Sequence, residues 1–158
     1  MLQGQVHLHQ SNKNKMENKK TEEKKEACVN AKDLRISKKH SAAICDFIRG
    51  KNIEKAISML EEVVRIKRAV PMKGEIPHRK GKGMMSGRYP VNAAKEFIRA
   101  LKQLRANAIV NSLEVERGVI FCKANGAQRP HKRFGTTRAK RTHLTLKLVQ
   151  SKKSGEKK

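Results

Sequence analysis

The chain has 158 residues, room for one domain with a modest core, and it sets 38 Lys and Arg against 14 Asp and Glu for a formal charge of +24. Self-repulsion at that density calls for a polyanion partner rather than a merely soluble surface, which would mix both signs. Four Phe, one Tyr and no Trp exclude a module that relies on stacking bases and leave affinity to phosphates and shape, while the lack of a basic helix with Trp or Phe anchors argues against a membrane surface.

Residues 1–25 are rich in Lys, Asn, Gln and Glu and cannot bury enough surface to offset their ordering entropy, which predicts a disordered basic arm. The arm holds no apolar run of the signal-peptide kind and no window of the chain approaches a membrane span, so an intracellular location is expected. His7 and His9 have no third ligand nearby, and no metal site is expected. A short strand follows over 27–36. Ser37 is the N-cap of a first helix with Ala43, Ile44, Phe47 and Ile48 as its apolar stripe, and Gly50 ends it as a left-handed residue. Asn52 caps a second helix that carries Ile53, Ala56, Ile57, Leu60, Val63 and Val64 on one face, and Pro71 confirms its stop.

Residues 65–88 contain eight basic residues, one acid, two Pro and four Gly. They read as one long loop, and loops of that length are functional or disordered. Its "GKGMMSG" lacks the Gly-Lys-Ser/Thr ending of a phosphate-binding loop. Pro90 opens a third helix that runs to about 111, with Val91, Ala94, Phe97, Ile98, Leu101, Leu104 and Ala108 facing the core. Two strands close the chain, over 115–124 and 142–149. In the second, Leu144, Leu146 and Leu148 face one way and His143, Thr145 and Lys147 the other. A flexible basic tail takes 151–158. Cys28, Cys45 and Cys122 are far apart and form no Cys-x-x-Cys pair. Neither a disulfide framework nor a zinc ribbon is supported, and each is read as a small buried hydrophobe.

The stretch between the closing strands carries the function. "KANGAQRPHKRFGTTRAKRTHL", residues 123–144, holds Lys123, Arg129, Lys132, Arg133, Arg138, Lys140 and Arg141 and no carboxylate, and no Asp or Glu occurs from 117 to 155. A solvated loop would have no reason to exclude acids from both flanking strands as well. Such a hairpin, spanning about 114–149, is marginal alone and is stabilised where its surroundings supply negative charge and walls. Folded RNA supplies both: Arg engages phosphate in bidentate fashion, and Gly126 and Gly135 permit tight turns and close approach. A helix-turn-helix regulator of DNA would concentrate its cations on a recognition helix, and a nucleic-acid enzyme would need clustered acids or a nucleophile; neither pattern is present.

Three motifs resemble the family of large-subunit ribosomal protein twenty-two, in its archaeal-type branch, over about 26–150. They are "LRISKKHSAAICDFIRGKNIEKAISMLEEV", "PHRKGKGMMSGRYPVNAAKEFIRALKQLRANA" and the closing "KRTHLTLKLV". In the last, His143 follows Thr142 directly, one residue short of the family's Arg-Thr-x-His spacing. The resemblance implies an α+β fold with three helices packed on a small three-stranded antiparallel sheet and an extended hairpin. It implies no catalysis and no cofactor. Its implied partners are large-subunit ribosomal RNA, neighbouring ribosomal proteins of the subunit and the nascent polypeptide, with no homo-oligomer, in the cytoplasm. The implied hairpin tip, lining the polypeptide exit tunnel, is Asn125, Gly126, Arg129, Lys132, Arg133 and Gly135. Arg88, Tyr89, Arg141 and His143 fall on the family's motifs. With them, the candidate RNA contacts are Arg35, Lys38, Lys39, His40, Arg49, Lys51, Arg79, Lys80, Lys82, Lys123, Arg129, Lys132, Arg133, Arg138 and Lys140.

Overall fold

A computed structural model describes residues 26–74, 79–133 and 135–150. The expected basic arm, its two histidines and the basic tail lie outside these residues. The element order is β1 (Glu26–Leu34), α1 (Lys38–Ile48), α2 (Ile53–Val64), β2 (Val70–Pro71), β3 (Gly87–Arg88), α3 (Val91–Val110), β4 (Gly118–Gly126) and β5 (Thr142–Gln150). β1, β5 and β4 form an antiparallel sheet in that order, with β5 in the middle. Three helices and this small sheet give the α+β fold that the sequence implies.

Among the described residues, one face of the sheet is covered and the other is not. The strict alternation in β5 puts Leu144, Leu146 and Leu148 inside, each at most 1% exposed, because successive strand residues point to opposite faces. α1 packs on β4, α3 on β1 and β5, and α2 lies against α3. The shared core contains Ile44, Ile48, Ile53, Leu60, Val63, Phe97, Leu101, Leu104 and Ile120. The helical stripes read from the sequence are this core, widened by Met59, Ala93 and Ala100. Ala43, Phe47, Ile57, Val64, Val91 and Ile98 flank it half-buried.

Ser37 and Asn52 occupy the N-cap positions, but neither side chain caps its helix. The carbonyl of Ser37 accepts from the Ser41 N–H and hydroxyl, each at 2.9 Å. The Asn52 amide instead donates to the Glu116 carbonyl at 2.9 Å, tying the α1–α2 turn to the entry of β4. Gly50 has φ +76°, as a left-handed helix terminator requires. Its N–H donates to the Ile120 carbonyl at 3.0 Å, and the Ile120 N–H donates to the Lys51 carbonyl at 3.1 Å, adding a rung to the outer edge of β4.

Two expectations are corrected. The segment read as one long loop contains a ribbon, in which Val70 and Pro71 pair with Arg88 and Gly87. Val70 is fully buried in the core, and the buried Ser86 hydroxyl donates to the Met72 carbonyl at 2.6 Å. A Cβ at Gly87 would collide with Met84 Sδ and lie 3.0 Å from Ala69 Cβ, so the close approach depends on glycine. The second correction concerns the cysteines. Cys28 is exposed on the open face of β1. Cys45 and Cys122 are buried, as expected, but are joined by a disulfide between α1 and β4, with Cα atoms 5.2 Å apart across 77 residues of sequence. Their pairing depends on how a helix face meets a strand face, which sequence spacing does not encode.

Candidate nucleic-acid interface

The hairpin is an extension of the sheet. β4 and β5 pair from Gly118 opposite Gln150 to Gly126 opposite Thr142. The ribbon then continues through the Ala127 N–H to Arg141 carbonyl bond at 3.1 Å, the Ala139 N–H to Pro130 carbonyl bond at 2.9 Å and a bridge between His131 and Arg138. It closes where the Lys132 N–H donates to the Thr137 carbonyl and the Gly135 N–H to the Lys132 carbonyl, both at 2.9 Å, with Gly135 at φ +70°. Asn125 and Gly126, expected at the tip, are therefore the last paired residues of β4. The turn itself lies within 132–137. Lys123, Arg129, Lys132, Arg133, Arg138 and Lys140 are all exposed along this ribbon.

The root of the ribbon is built into the corner between β1 and α1. Three consecutive side chains hold that corner. Arg141 Nη1 donates to the Asp33 carbonyl at 3.4 Å. The buried Thr142 hydroxyl donates to the Ile36 carbonyl at 2.9 Å. His143 Nδ1 accepts from the Asp33 N–H at 3.1 Å. Asp33 sits at φ 61°, where the β1–β5 register slips between Ala31 and Leu34; Asp tolerates that left-handed conformation better than most residues. The Lys38 stem lies against Gly126, whose added Cβ would meet Lys38 Cδ at 3.5 Å. The corner thus brings Lys38, Arg141 and His143 to the base of the hairpin.

A groove of about 310 Å³ opens beside this corner, lined by Arg35, Ser37, His40, Tyr89, Pro90 and Asn92. It gathers three of the sequence-predicted residues, Arg35, His40 and Tyr89, at the start of α3. Arg79 reaches it from the ribbon loop, stacking its guanidinium 4.8 Å from the centre of the Tyr89 ring. Arg79, Lys80, Lys82 and Arg88 are exposed along that loop, as is Lys39 on α1.

Two expected contacts lie elsewhere and are engaged within the protein. Arg49 donates to the Cys122 carbonyl at 3.2 Å, pairs with Asp46 at 3.5 Å and lies 5.8 Å from the centre of the Phe121 ring. Lys51 Nζ donates to the Phe47 carbonyl at 2.7 Å, above the Phe47 ring. Arg49 binds the outer edge of β4 and Lys51 the end of α1, both away from the corner. Sequence reasoning also missed two residues of the corner. Thr142 and Asp33 carry no charge pattern of their own, and only the motif around Arg141 pointed near them.

Several acids of the body pair with body cations. Glu62 pairs with Arg68, Glu96 with Arg99, Glu54 with Arg105 and Glu114 with Arg117. Glu26 takes Lys147 at 3.0 Å, and this hydrogen bond first, the carboxylate's charge second, raises the Lys147 ammonium above its ordinary value. Lys147 therefore stays cationic and paired through neutral pH. Among the described residues there is no group of three or more His, Cys, Asp or Glu that could hold a metal ion, and no helix long and apolar enough to cross a membrane.

A family model described as ribosomal protein L22p/L17e matches residues 29–149. The chain is 43% identical over 106 residues to the large ribosomal subunit protein uL22 of Archaeoglobus fulgidus, a match covering 65% of this chain and 68% of that protein. It is 40% identical over 89 residues to that of Cenarchaeum symbiosum, covering 54% and 59%, and 36% identical over 101 residues to that of Methanococcus aeolicus, covering 61% and 66%. The chain thus spans between 59% and 68% of the length of these relatives.

Proposed function

Because the chain belongs to the ribosomal protein L22p/L17e family, we propose that it is a cytoplasmic constituent of the large ribosomal subunit, a structural protein rather than an enzyme, and that it binds large-subunit ribosomal RNA. The domain over 26–150 is the RNA-binding unit. The corner and groove around Arg35, Lys38, His40, Tyr89, Arg141 and His143, with the loop residues Arg79, Lys80, Lys82 and Arg88, anchor the body. The ribbon bearing Lys123, Arg129, Lys132, Arg133, Arg138 and Lys140 threads between RNA segments towards the exit tunnel. There its turn meets the tunnel wall and the nascent chain.

The observation that carries this reading is the hairpin's composition: a paired ribbon growing out of a three-stranded sheet, with exposed cations along its length and no acid from 117 to 155. In isolation those like charges repel one another. Against RNA each can neutralise a phosphate and release a counterion. The test is sedimentation with the large subunit from lysate, joined to hydroxyl-radical footprinting of its RNA with and without the protein. Protection confined to a continuous path of RNA backbone is expected. Absence from the subunit fraction would refute the proposal.

A further inference from the structure

The Asp33 amide donates to a neighbouring ring, the His143 imidazole. A backbone N–H can only donate, so the 3.1 Å contact from Asp33 N to His143 Nδ1 requires a lone pair on Nδ1. Neutral imidazole carries one donor and one acceptor, and an imidazolium would set two N–H groups against each other at this distance. The donor residue, Asp33, is itself held in place. Its N–H goes to His143 and its carbonyl accepts from Arg141 at 3.4 Å, while Thr142, between those two side chains, is anchored inside on the Ile36 carbonyl. This grip depends on the two side chains flanking Thr142 directly.

We infer that His143 is held as the neutral Nε2–H tautomer and that it serves as a fixed, uncharged hydrogen-bond donor to an oxygen of the bound RNA backbone. His143 is half-buried on the open face of the sheet. Asn125 lies directly across from it on β4, and Lys123 pairs with Thr145 one step further along that face. Lys123 attracts a phosphate electrostatically at long range, but an ammonium carries little directional information. A ring donor whose orientation is set by a backbone amide is directional, and it adds geometry to a surface that otherwise recognises only charge. This role rests on the RNA-binding reading above, whereas the tautomer does not.

The free protein tests the tautomer. Long-range proton–nitrogen correlation spectra at neutral pH, with His143→Gln identifying the ring, should show a protonated-type ε2 and an unprotonated-type δ1 nitrogen. A protonated δ1, or averaging between the two forms, would overturn the assignment. Two variants test the donor. In His143→Asn the side-chain oxygen falls near Nδ1 and can still accept from Asp33, but nothing replaces Nε2–H. In His143→Gln the amide falls near Nε2 and the acceptor is lost. For binding to a large-subunit RNA fragment, His143→Asn should melt close to wild type yet bind roughly fivefold more weakly, the worth of one neutral hydrogen bond. His143→Gln should melt lower and bind more tightly than the Asn variant. The slope of affinity against salt should be the same for wild type and His143→Asn; a fall of about 0.9 would mean that a charged imidazolium had been neutralising a phosphate, which overturns the proposal. Equal affinity of wild type and His143→Asn overturns the donor role. If wild-type protein does not bind the RNA at all, the functional reading fails and the donor role with it, while the spectra still decide the tautomer.

Discussion

Thr142 shows how much of the corner hangs on one hydroxyl. It is fully buried and donates to a carbonyl of the β1–α1 turn that has left the strand ladder. Removing the donor while keeping the shape, as in Thr142→Val, leaves the Ile36 carbonyl without this partner. A loss of about 1–3 kcal/mol of stability is expected by chemical denaturation, and Thr142→Ser should restore most of it. A valine variant as stable as wild type would mean that the turn is held by other bonds. The cysteines separate in the same way by environment. Alkylation of the native, unreduced protein should modify Cys28 alone, and after unfolding and reduction all three; early labelling of Cys45 or Cys122 would contradict the pairing. Individual residues were also where the sequence was hardest to read. Leu144, Leu146 and Leu148 announce their face by alternation, and Gly50 its left-handed turn by position. Asp33 at positive φ and the Cys45–Cys122 bond do not, because both arise from contacts between elements distant in sequence. Arg49 and Lys51 were read as RNA contacts from charge alone, and a charge in the sequence does not show whether a carbonyl of the protein also lies within its reach.

At the scale of elements, the strongly periodic pieces were legible and the weakly periodic ones were not. The three helices and β5 each carry a repeating apolar pattern, at three- and four-residue steps in the helices and two-residue steps in β5, which distinguishes the 3.6-residue from the two-residue period. β2 and β3 are two residues each and have no period to read; they exist because Gly87 lets one backbone lie against Ala69. The hairpin was readable as a basic insertion, but the end of its pairing was not. That boundary matters for an experiment in which 128–136 is replaced by a Gly-containing turn. β4, β5, the corner and the core all lie outside the deletion, which removes only the exposed distal ribbon with its Pro130, His131 and Lys132 pairing, so the melting temperature of the free protein should change little. Shortening a loop by itself is worth about 1 kcal/mol or less. The truncated protein should still enter large subunits through its body, and the change should appear in the passage of nascent chains or tunnel ligands. A truncated protein that folds but never assembles would show that the turn is needed for docking.

The whole molecule is an unbalanced charge distribution on a well-packed frame. If roughly eight of its cations contact phosphate, the log–log dependence of RNA affinity on salt should be steeper than about −5. Filter binding or fluorescence titration across 50–300 mM salt, roughly the range in which such slopes are read, would measure it. A nearly flat dependence would point to apolar docking or base readout. The rung that Gly50 and Lys51 add to β4 has a consequence for the time before any RNA is bound. β4 is the edge of its sheet, and an unpaired edge is a template on which a second copy can add a strand, leading to aggregates. Here the Ile120 N–H and carbonyl are already occupied by the α1–α2 turn, the Cys122 carbonyl by Arg49, and on the opposite edge the Cys28 carbonyl accepts from Asn107 at 3.1 Å. A free molecule thus has these positions of its sheet edges already occupied, and a second copy cannot pair with them. That protection is geometric, so it persists at salt concentrations where repulsion between +24 chains no longer keeps them apart.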